Sequence, residues 1–315
     1  MHRDKREKLT SNYIVCTTIN APTEAIDLYD AMVGWTLVVV GDLKTPKDYK
    51  LKNGIYLSPD NQKKFSPALS DLLGWNCIQR RNIGFLYALS RGAQIVATVD
   101  DDNTPLDNWG DNVLAGSSVR VKKYSSSDGL FDPMAVTNYP QLWHRGFPIQ
   151  FLTTRAYPIF NEVEEIFDVE ASFWNGDPDI DAICRMEHEP DCNFDKTCFP
   201  FASNGLSPFN SQNTFLTAET LTDYFMFPGV GRMDDIWGAY QLLSIGKKVI
   251  YTEPSVIQKR NPHDLTNDFE KEIPGYLNNY KILDRLMQSE NVIKDYVPKD
   301  SWTAFQMYRS LAKGY

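Results

Sequence analysis

An apolar segment that ends in three aspartates places the strongest constraint on the fold. Residues 95–99 read Ile-Val-Ala-Thr-Val and are followed by Asp100, Asp101, Asp102 and Asn103. Such a run predicts a strand that is buried on both faces, as strands of parallel sheets are. Three carboxylates at its carboxyl end repel one another unless a cation or hydrogen bonds compensate them. Two interpretations remain open: an acidic loop that caps the next element, or a site for Mg²⁺ or Mn²⁺, which prefer oxygen ligands.

The residues before this segment indicate a strand–helix–strand unit. Residues 13–19 and 35–40 are apolar, β-branched runs, and Pro22 followed by acidic residues is typical of the start of a helix, here to about Met32. Two strands joined in this way are parallel. Two further elements follow, a strand at 55–58 and a helix at 82–90. We therefore predict an α/β fold whose first half is of the nucleotide-binding type, with a mixed, mostly parallel central sheet flanked by helices.

The length of 315 residues suits one large α/β domain with additions. We predict a flexible basic tail at 1–12, a main domain at 13–276, and a C-terminal helical segment at 277–315 that packs on the body. Within the main domain, residues 13–105 form a first half of the nucleotide-binding type and residues 106–276 form a second half.

The second half of the chain has a less regular pattern. Residues 139–209 are rich in Pro, Gly, Asn and aromatic residues, so we interpret them as a loop-built wall of an active site or as an insertion that only packs. Later elements are predicted as helices at 234–244, 278–287 and 301–315 and a strand at 248–251.

The overall charge and hydropathy exclude several classes of protein. A net charge of −9 and a pI near 5.0 argue against a general nucleic-acid binder. The chain contains no apolar run of roughly 18–20 residues and its charged start does not resemble a signal peptide, so we expect a cytoplasmic protein without a transmembrane segment. Five cysteines without a CxxC pair suit a reducing compartment, and a Cys192–Cys198 bridge stays open.

An acidic protein needs a metal or a local cationic site to bind a nucleotide diphosphate. Asp42 follows the second strand, where a carboxylate can bind a ribose or base, and Lys44 lies two residues on. Arg80 and Arg81 lie at the start of a predicted helix, which favours a diphosphate there. Turn residues and exposed arginines without specific contacts are the alternative interpretations.

Three acidic or basic clusters follow in the second half. The turn that contains Asp177, Asp179 and Asp181 either caps the next helix or binds a substrate. Asp234 and Asp235 begin a helix, where the dipole stabilises them, and a carboxylate there can also act as a general base. The third cluster consists of Lys259, Arg260 and His263, whose imidazole is a potential metal ligand.

Several of these motifs resemble those of the STELLO-type glycosyltransferases. The resemblance rests on the segments 81–88, 100–103, 145–148 and 174–182, and it covers roughly residues 13–276. A more distant similarity connects the chain with the reversibly glycosylated polypeptides, the UDP-arabinopyranose mutases. The shared features are the acidic triplet, the spacing from Tyr139-Pro140 to Gly146-Phe147-Pro148, and Gly-Arg-x-Asp-Asp-x-Trp at 231–237.

The resemblance implies a GT-A fold, a UDP-sugar or other nucleotide-sugar donor, and Mn²⁺ or Mg²⁺ on the acidic triplet. It implies the metal ligands Asp100, Asp102 and His263, and the catalytic pair Asp234 and Asp235. The residues expected to bind the nucleotide or donor are Thr17, Asp42, Lys44, Arg81, Asn82, Asp100, Asp101, Lys259 and Arg260. Those expected at the sugar or acceptor are Arg145, Trp174, Asp177, Asp179 and Asp181.

Three functions remain possible at this point. The first is a metal-dependent transferase that moves a sugar to a glycan or other hydroxyl acceptor. The second is a sugar-nucleotide mutase, although the arginine that is glycosylated in the mutases corresponds to His144, next to Arg145. The third is a catalytically degenerate scaffold of glycan synthesis, against which the intact acidic triplet argues.

Overall fold

A mixed sheet of eleven strands forms the centre of the computed structural model, which describes residues 11–259, 264–288 and 292–315. Its strands are β1 Asn12–Thr18, β2 Trp35–Gly41, β3 Ile55–Leu57, β4 Ile95–Asp100, β5 Asn103–Pro105, β6 Ser118–Tyr124, β7 Phe160–Ile166, β8 Val169–Gly176, β9 Phe201–Ser203, β10 Asn213–Thr217 and β11 Val249–Gln258. Their order is β3-β2-β1-β4-β10-β8-β11-β9-β6-β7, and β5 pairs with β11 at one end. The α/β architecture predicted from the sequence, with a mixed central sheet, is confirmed, but the sheet is not mostly parallel: five pairings between the described strands are parallel and five are antiparallel.

The first four strands of the sheet in spatial order are parallel. β1 lies between β2 and β4, and β3 pairs with β2 at the sheet edge. β10 then runs antiparallel to β4, and β8 runs antiparallel to β10 and parallel to β11. The carboxyl ends of β1, β2 and β4 therefore lie at one edge of the sheet, where ligands bind in open α/β folds.

Helices cover both faces of the sheet. They are α1 Glu24–Asp30, α2 Pro59–Phe65, α3 Pro67–Leu73, α4 Arg81–Ser90, α5 Ala182–His188, α6 Ala218–Leu221, α7 Asp234–Ser244, α8 Leu265–Met287 and α9 Lys299–Ala312. Alternation along β1 explains the two layers: Tyr13 and Val15 pack toward α4, whereas Ile14 and Cys16 pack toward α1.

A glycine sets the close approach of α4 to the sheet. A Cβ on Gly84 would lie 2.5 Å from Val15 Cγ1 and 2.6 Å from Val40 Cγ2. Any larger residue would push the helix away from β1 and β2. Because Arg81 is one turn earlier in the same helix, this contact also fixes where the Arg81 side chain enters the site.

Residues 139–209 contain more regular secondary structure than the sequence indicated. The region contains β8, which lies in the middle of the sheet, together with β7, α5 and β9. The sequence did not indicate that β8 is a buried strand, because Glu170 and Ser172 interrupt its apolar pattern. Both polar side chains are buried, and their hydrogen bonds are made within the fold.

The helix predicted at residues 278–287 is longer than the sequence indicated. α8 begins at Leu265 and continues through Pro274 to Met287, so the boundary predicted after residue 276 falls inside a helix. No described helix is long and apolar enough to cross a membrane. All five cysteines are free thiols in the structure, including Cys192 and Cys198.

Candidate donor and metal site

The acidic triplet lies in an open cavity of about 310 Å³ at the carboxyl ends of β1, β2 and β4. The cavity is lined by Thr17, Thr18, Ile19, Asn20, Val40, Asp42, Asn76, Cys77, Ile78, Arg80, Arg81, Asp100, Asp101 and Asp102. The triplet and several of the predicted donor-binding residues are thus brought together by the fold. Four of the lining side chains are carboxylates and two are guanidinium groups.

Arg81 is committed to Asp100. Its Nη2 donates to Asp100 Oδ1 over 2.6 Å and to Thr17 Oγ1 over 3.0 Å, and the side chain is fully buried. Gln212 Nε2 donates to the other oxygen, Asp100 Oδ2, over 2.8 Å. A buried ion pair of this kind is held by its geometry and its additional hydrogen bonds. Arg81 therefore neutralises Asp100 and does not project toward a ligand in the cavity.

Asp101 organises the loop after β1. Its Oδ2 accepts a hydrogen bond from Asn20 Nδ2 over 3.0 Å and another from Thr18 Oγ1. Thr23, which caps α1, donates its hydroxyl to the Asp101 carbonyl oxygen. These bonds tie the acidic triplet to the first strand and helix, so Asp101 positions its neighbours.

Asp102 is the exposed member of the triplet. Gln258 Nε2 lies 3.2 Å from each of its two carboxylate oxygens. Three buried amide oxygens around the triplet have no hydrogen-bond partner among the described residues: Asn103 Oδ1, Gln212 Oε1 and Gln258 Oε1. Oxygen atoms of this type are ligands that Mg²⁺ and Mn²⁺ accept.

The charges of the cavity fit a divalent cation. Arg81 is paired with Asp100, and Arg80 is fully buried, with its guanidinium bonded to Gln62 Oε1 and to the Ser70 carbonyl oxygen. Neither is available to a phosphate, although the sequence suggested both. A nucleotide diphosphate brought next to Asp101 and Asp102 needs a positive ion between the two sets of oxygens. No group of three His, Cys, Asp or Glu side chains in 11–259, 264–288 and 292–315 is arranged to hold a metal alone.

Asp42 stabilises the cavity wall, and its oxygens are used within the protein. Asp42 Oδ1 accepts from the backbone N–H groups of Leu43 and Asn76 over 2.6 and 2.8 Å, and Oδ2 accepts from Cys77 over 3.0 Å. Asp42 also lines the cavity, so its binding to a ribose or base stays a prediction. Lys44 is exposed and is not among the residues that line the cavity.

Two other predicted donor residues have different surroundings. Asn82 is buried and exchanges both of its amide hydrogen bonds with the backbone of Met226, so it joins α4 to the second half of the chain. Lys259 lines a separate cleft. Arg260 and His263 lie outside the described residues.

The separate cleft has a volume of about 800 Å³ and begins next to Gln258. It is lined by Asn175, Gly176, Asp177, Arg185, Glu189, Pro190, Asp191, Cys192, Asn193, Ile257, Gln258, Lys259 and Leu265. Of the residues predicted at the sugar or acceptor, Asp177 is the one that lines this cleft. It forms an ion pair with Arg185 of α5.

The other predicted acceptor residues are interior. Arg145 Nε and Nη2 donate to the two carboxylate oxygens of Asp179 over 2.8 and 3.2 Å. Nη2 also lies 3.1 Å from Asp235 Oδ2, and all three side chains are buried. Burial alone raises the pKa of Asp179, but the Arg145 cation outweighs it and holds this pKa below its ordinary value. Trp174 is buried and donates Nε1–H to the Asp177 carbonyl oxygen.

The predicted catalytic pair at the start of α7 is also buried. Asp234 Oδ2 accepts from Gln79 Nε2 over 2.7 Å, and burial followed by repulsion from Asp235 raises the pKa of Asp234. Asp235 Oδ2 accepts from the backbone N–H of Ser211 over 3.0 Å, and Ser211 O accepts from Arg81 Nη1 over 2.9 Å. A continuous chain of bonds thus connects Asp235 through Ser211 and Arg81 to Asp100.

Asp181 caps α5, which is one of the two interpretations given for its turn. Its Oδ1 accepts from the Cys184 N–H over 2.8 Å and its Oδ2 from Trp143 Nε1 over 2.7 Å. Burial, with repulsion from Glu272, raises the pKa of Asp181 from 3.8 to about 7. The carboxyl group is therefore part of the fold, and its protonation affects stability.

We expect the stability of the protein to fall as pH rises through the titration of Asp181. The native state keeps this proton to about pH 7, whereas the unfolded chain releases it near pH 3.8. The stabilisation from this proton is fully present below pH 3.8 and is lost as the pH rises toward 7. The free energy of unfolding then falls by up to about 1.4 kcal/mol per pH unit. Urea unfolding between pH 4 and 8 should show that the free energy of unfolding depends less steeply on pH in the Asp181→Asn variant than in the wild type. The exposed control Asp48→Asn should keep the wild-type slope, and equal slopes in all three proteins would contradict the assignment.

Three of the residues that hold the triplet in place were not among the sequence candidates. Gln212 and Gln258 are ordinary polar residues more than 100 positions away from the aspartates that they contact, and Ser211 lies 130 positions from Arg81, to which it bonds. One signal was present: Gln258 ends a β-branched strand, and polar residues at strand ends near acidic ones are candidates for ligand contacts. The sequence held no comparable signal for Ser211.

Comparison with known proteins supports the resemblance seen in the motifs. The chain is 26% identical over 275 residues to the probable glycosyltransferase STELLO2 of Arabidopsis thaliana, and 24% identical over 274 residues to STELLO1. Each alignment covers 78% of this chain. The chain is similar to the STELLO-type glycosyltransferases. It spans about a third of the length of these two relatives, 35% in each case.

No protein-family profile matches the chain. Two solved structures align with it at low similarity. One is a structure of GalNAc-T7 with UDP, GalNAc and Mn²⁺, at 10% identity and a TM-score of 0.34, covering 96% of this chain and 55% of the other. The second is the mannosyltransferase PcManGT from Pyrobaculum calidifontis with GDP-Man and Mn²⁺, at 12% identity and the same TM-score, covering 96% and 86%.

Proposed function

We propose that this protein is a metal-dependent glycosyltransferase of GT-A type that moves a sugar from a nucleotide-sugar donor, a UDP-sugar first of all, to a glycan or other hydroxyl acceptor. The observation that carries the proposal is the position of Asp100, Asp101 and Asp102 at the carboxyl end of β4, inside an open cavity whose two arginines are already engaged. The similarity to two probable glycosyltransferases supports it.

The donor would lie in the cavity at the ends of β1, β2 and β4. The backbone of residues 76–78, held by Asp42, forms the wall on which the nucleoside would rest. Asp102 and Asp100 are the side chains that would hold Mn²⁺ or Mg²⁺, with Asp100 kept in place by Arg81 and Gln212. Phosphate oxygens would complete the ligand set. Such an ion, when bound, stabilises the negative charge that the departing diphosphate acquires.

The acceptor would enter from the cleft that Asp177 and Lys259 line. Gln258 borders this cleft and at the same time contacts Asp102, so the two compartments meet at this residue. In this arrangement Asp177 is the carboxylate that we assign to the acceptor hydroxyl. It could accept the proton of that hydroxyl as the sugar is transferred.

For Asp234 and Asp235 we propose a positioning role in place of catalysis. Both are buried, and neither lines the donor cavity or the acceptor cleft. Asp235 acts on the site through Ser211, which in turn orients Arg81 against Asp100. A carboxylate in this position fixes the geometry of the triplet without contacting a substrate.

A thermal-shift screen of UDP- and GDP-sugars, with and without Mn²⁺, tests the proposal directly. A ligand that binds the native state adds about 2.7 kcal/mol to the free energy of unfolding when its concentration is a hundred times the dissociation constant. The unfolding temperature rises as a result. We expect a shift for at least one donor with Mn²⁺ and a smaller one without it. The absence of any shift for all donors would contradict the proposed function.

A reaction without an acceptor distinguishes sugar transfer from ring interconversion. Incubation with UDP-arabinopyranose and Mn²⁺ but no acceptor, followed by chromatography, would reveal a mutase by a furanose product. We expect none, because His144, which takes the place of the glycosylated arginine in the mutases, is buried. Burial also lowers the pKa of His144 to about 4, so it is a neutral interior side chain at neutral pH.

Replacing Gln258 by leucine should weaken Mn²⁺ binding. Residues that orient a metal ligand typically contribute 10–100-fold to affinity, so a loss of roughly that size is expected. Titration of free Mn²⁺ by electron paramagnetic resonance measures it without a turnover assay. Gln288→Leu is the matched control, since Gln288 is exposed and bonds to Asp284. Equal affinities of the two variants would show that Gln258 does not position Asp102.

A further inference from the structure

A second polar cavity, of about 330 Å³, lies on one face of the central sheet, apart from the donor cavity and the acceptor cleft. It is lined by Asn108, Gly110, Asn112, Val113, Leu114, Glu170, Ser172, Lys196, Phe199, Pro200, Phe215, Thr252, Glu253 and Ser255. None of these residues lines the donor cavity or the acceptor cleft. A volume of this size is at the lower end of the roughly 300–1,000 Å³ of small-molecule sites.

Strand register explains how the floor of this cavity is built. Phe215 pairs with Glu170 and Thr252 with Ser172, so these side chains from β10, β8 and β11 share one face of the sheet. The floor therefore combines an aromatic ring with hydroxyl groups. Phe199 and Pro200 add apolar surface at the side.

Buried Glu170 holds the cavity open. Its Oε2 accepts from the Leu114 N–H over 2.6 Å and its Oε1 from Thr252 Oγ1 over 3.0 Å. Ser172 Oγ and Thr252 Oγ1 are 2.8 Å apart. These bonds fasten the loop of residues 108–114 to two sheet strands, so the cavity is formed before any ligand arrives. A pre-formed site loses little conformational entropy on binding.

The chemistry of the lining selects against anions. Glu170 and Glu253 contribute two carboxylates, and the one cation among the lining residues, Lys196, lies 3.3 Å from Glu253. Phosphates and nucleotides are thus repelled. Carboxylate, amide and hydroxyl groups around an aromatic surface instead suit a neutral ligand that has many hydroxyls on its edges and an apolar face. A pyranose sugar has both.

We propose that this cavity is a second carbohydrate site, which binds one neutral pyranose residue of a glycan independently of nucleotide and metal. Its walls connect to the acidic triplet through two routes. The loop 108–114 follows β5, which begins directly after Asp102, and Ser255 lies three residues before Gln258. A glycan held here is anchored beside the strands that carry the donor site.

Saturation-transfer-difference NMR on the whole chain in EDTA tests this site with the methyl glycosides of glucose, galactose, mannose and xylose. At least one of them should give a signal that UDP does not compete away. Asn112→Trp, which fills the cavity mouth from an exposed position, should weaken that binding at least tenfold. Asp111→Trp is the matched control, because Asp111 is the exposed neighbour that does not line the cavity.

Glu253→Ala provides a second variant, which removes a carboxylate acceptor from the rim and should weaken binding at least threefold. The proposal fails if no glycoside gives a signal, or if the Asn112 and Asp111 variants bind equally. It also fails if UDP with Mg²⁺ displaces the sugar in a parallel sample without EDTA, since the sugar would then occupy the donor cavity. Because the first sample contains no donor and no metal, its signal is independent of whether the protein is a transferase.

Discussion

Replacing Asp102 by asparagine is expected to abolish Mn²⁺-dependent binding of the nucleotide sugar, with a loss of about 100-fold or more in affinity for the ion. Residues that only orient a ligand contribute up to about that factor, so the loss of a charged ligand should cost at least as much. Asp102 is the exposed carboxylate of the triplet and is not neutralised by Arg81, which is paired with Asp100. Calorimetric titration of Mn²⁺ in the presence of UDP measures the change.

The matched control for this variant is Asp107→Asn. Asp107 is an exposed carboxylate five residues farther along the chain and does not line the cavity. It should leave both Mn²⁺ affinity and donor binding unchanged. Full donor turnover by the Asp102 variant would show that the acidic triplet is not the metal–diphosphate site.

Replacing Arg145 by methionine is expected to lower the free energy of unfolding by about 3–5 kcal/mol. The guanidinium is the shared cation of Asp179 and Asp235, and without it two buried carboxylates lose their partner. Methionine keeps much of the side-chain volume, so the effect reports the charge and not a cavity. Urea denaturation followed by circular dichroism at pH 7 provides the measurement.

Arg120→Met is the control for the buried ion pair. Arg120 pairs with Glu162 on the surface of β6 and β7, and both side chains are more than half exposed. Exposed pairs contribute about 0–1 kcal/mol, so this variant should be close to wild type. An equally small effect of the Arg145 variant would mean that the interior carboxylates take up protons at little cost.

The first half of the fold could be predicted because its signals are local. Each strand of the first unit is a short β-branched run, and Pro22 and the Thr23 cap define where α1 begins. The strand that ends at Asp100 was visible for the same reason. Patterns of this kind depend on neighbours in sequence, which is the information that a single chain supplies.

The contacts of the charged residues could not be predicted, because they depend on segments far apart in sequence. Arg80 and Arg81 are adjacent, yet one is bonded to Gln62 and Ser70 and the other to Asp100. Asp42 accepts a hydrogen bond from the backbone of Asn76, 34 positions away, which its position after β2 did not indicate. Sequence spacing indicates which residue types are present, but the fold decides which of them remain open to a ligand.

The bonds from Asp235 through Ser211 and Arg81 to Asp100 imply that the first half of the chain, which carries the acidic triplet, is not an exchangeable module. Ser211 and Gln212 precede β10, the antiparallel neighbour of β4, and both belong to the second half of the chain. Recombination that joined residues 13–105 to another partner would retain the acidic residues but lose their alignment. We therefore expect changes near residue 211 to disturb the triplet unless a second change restores the contact with Arg81.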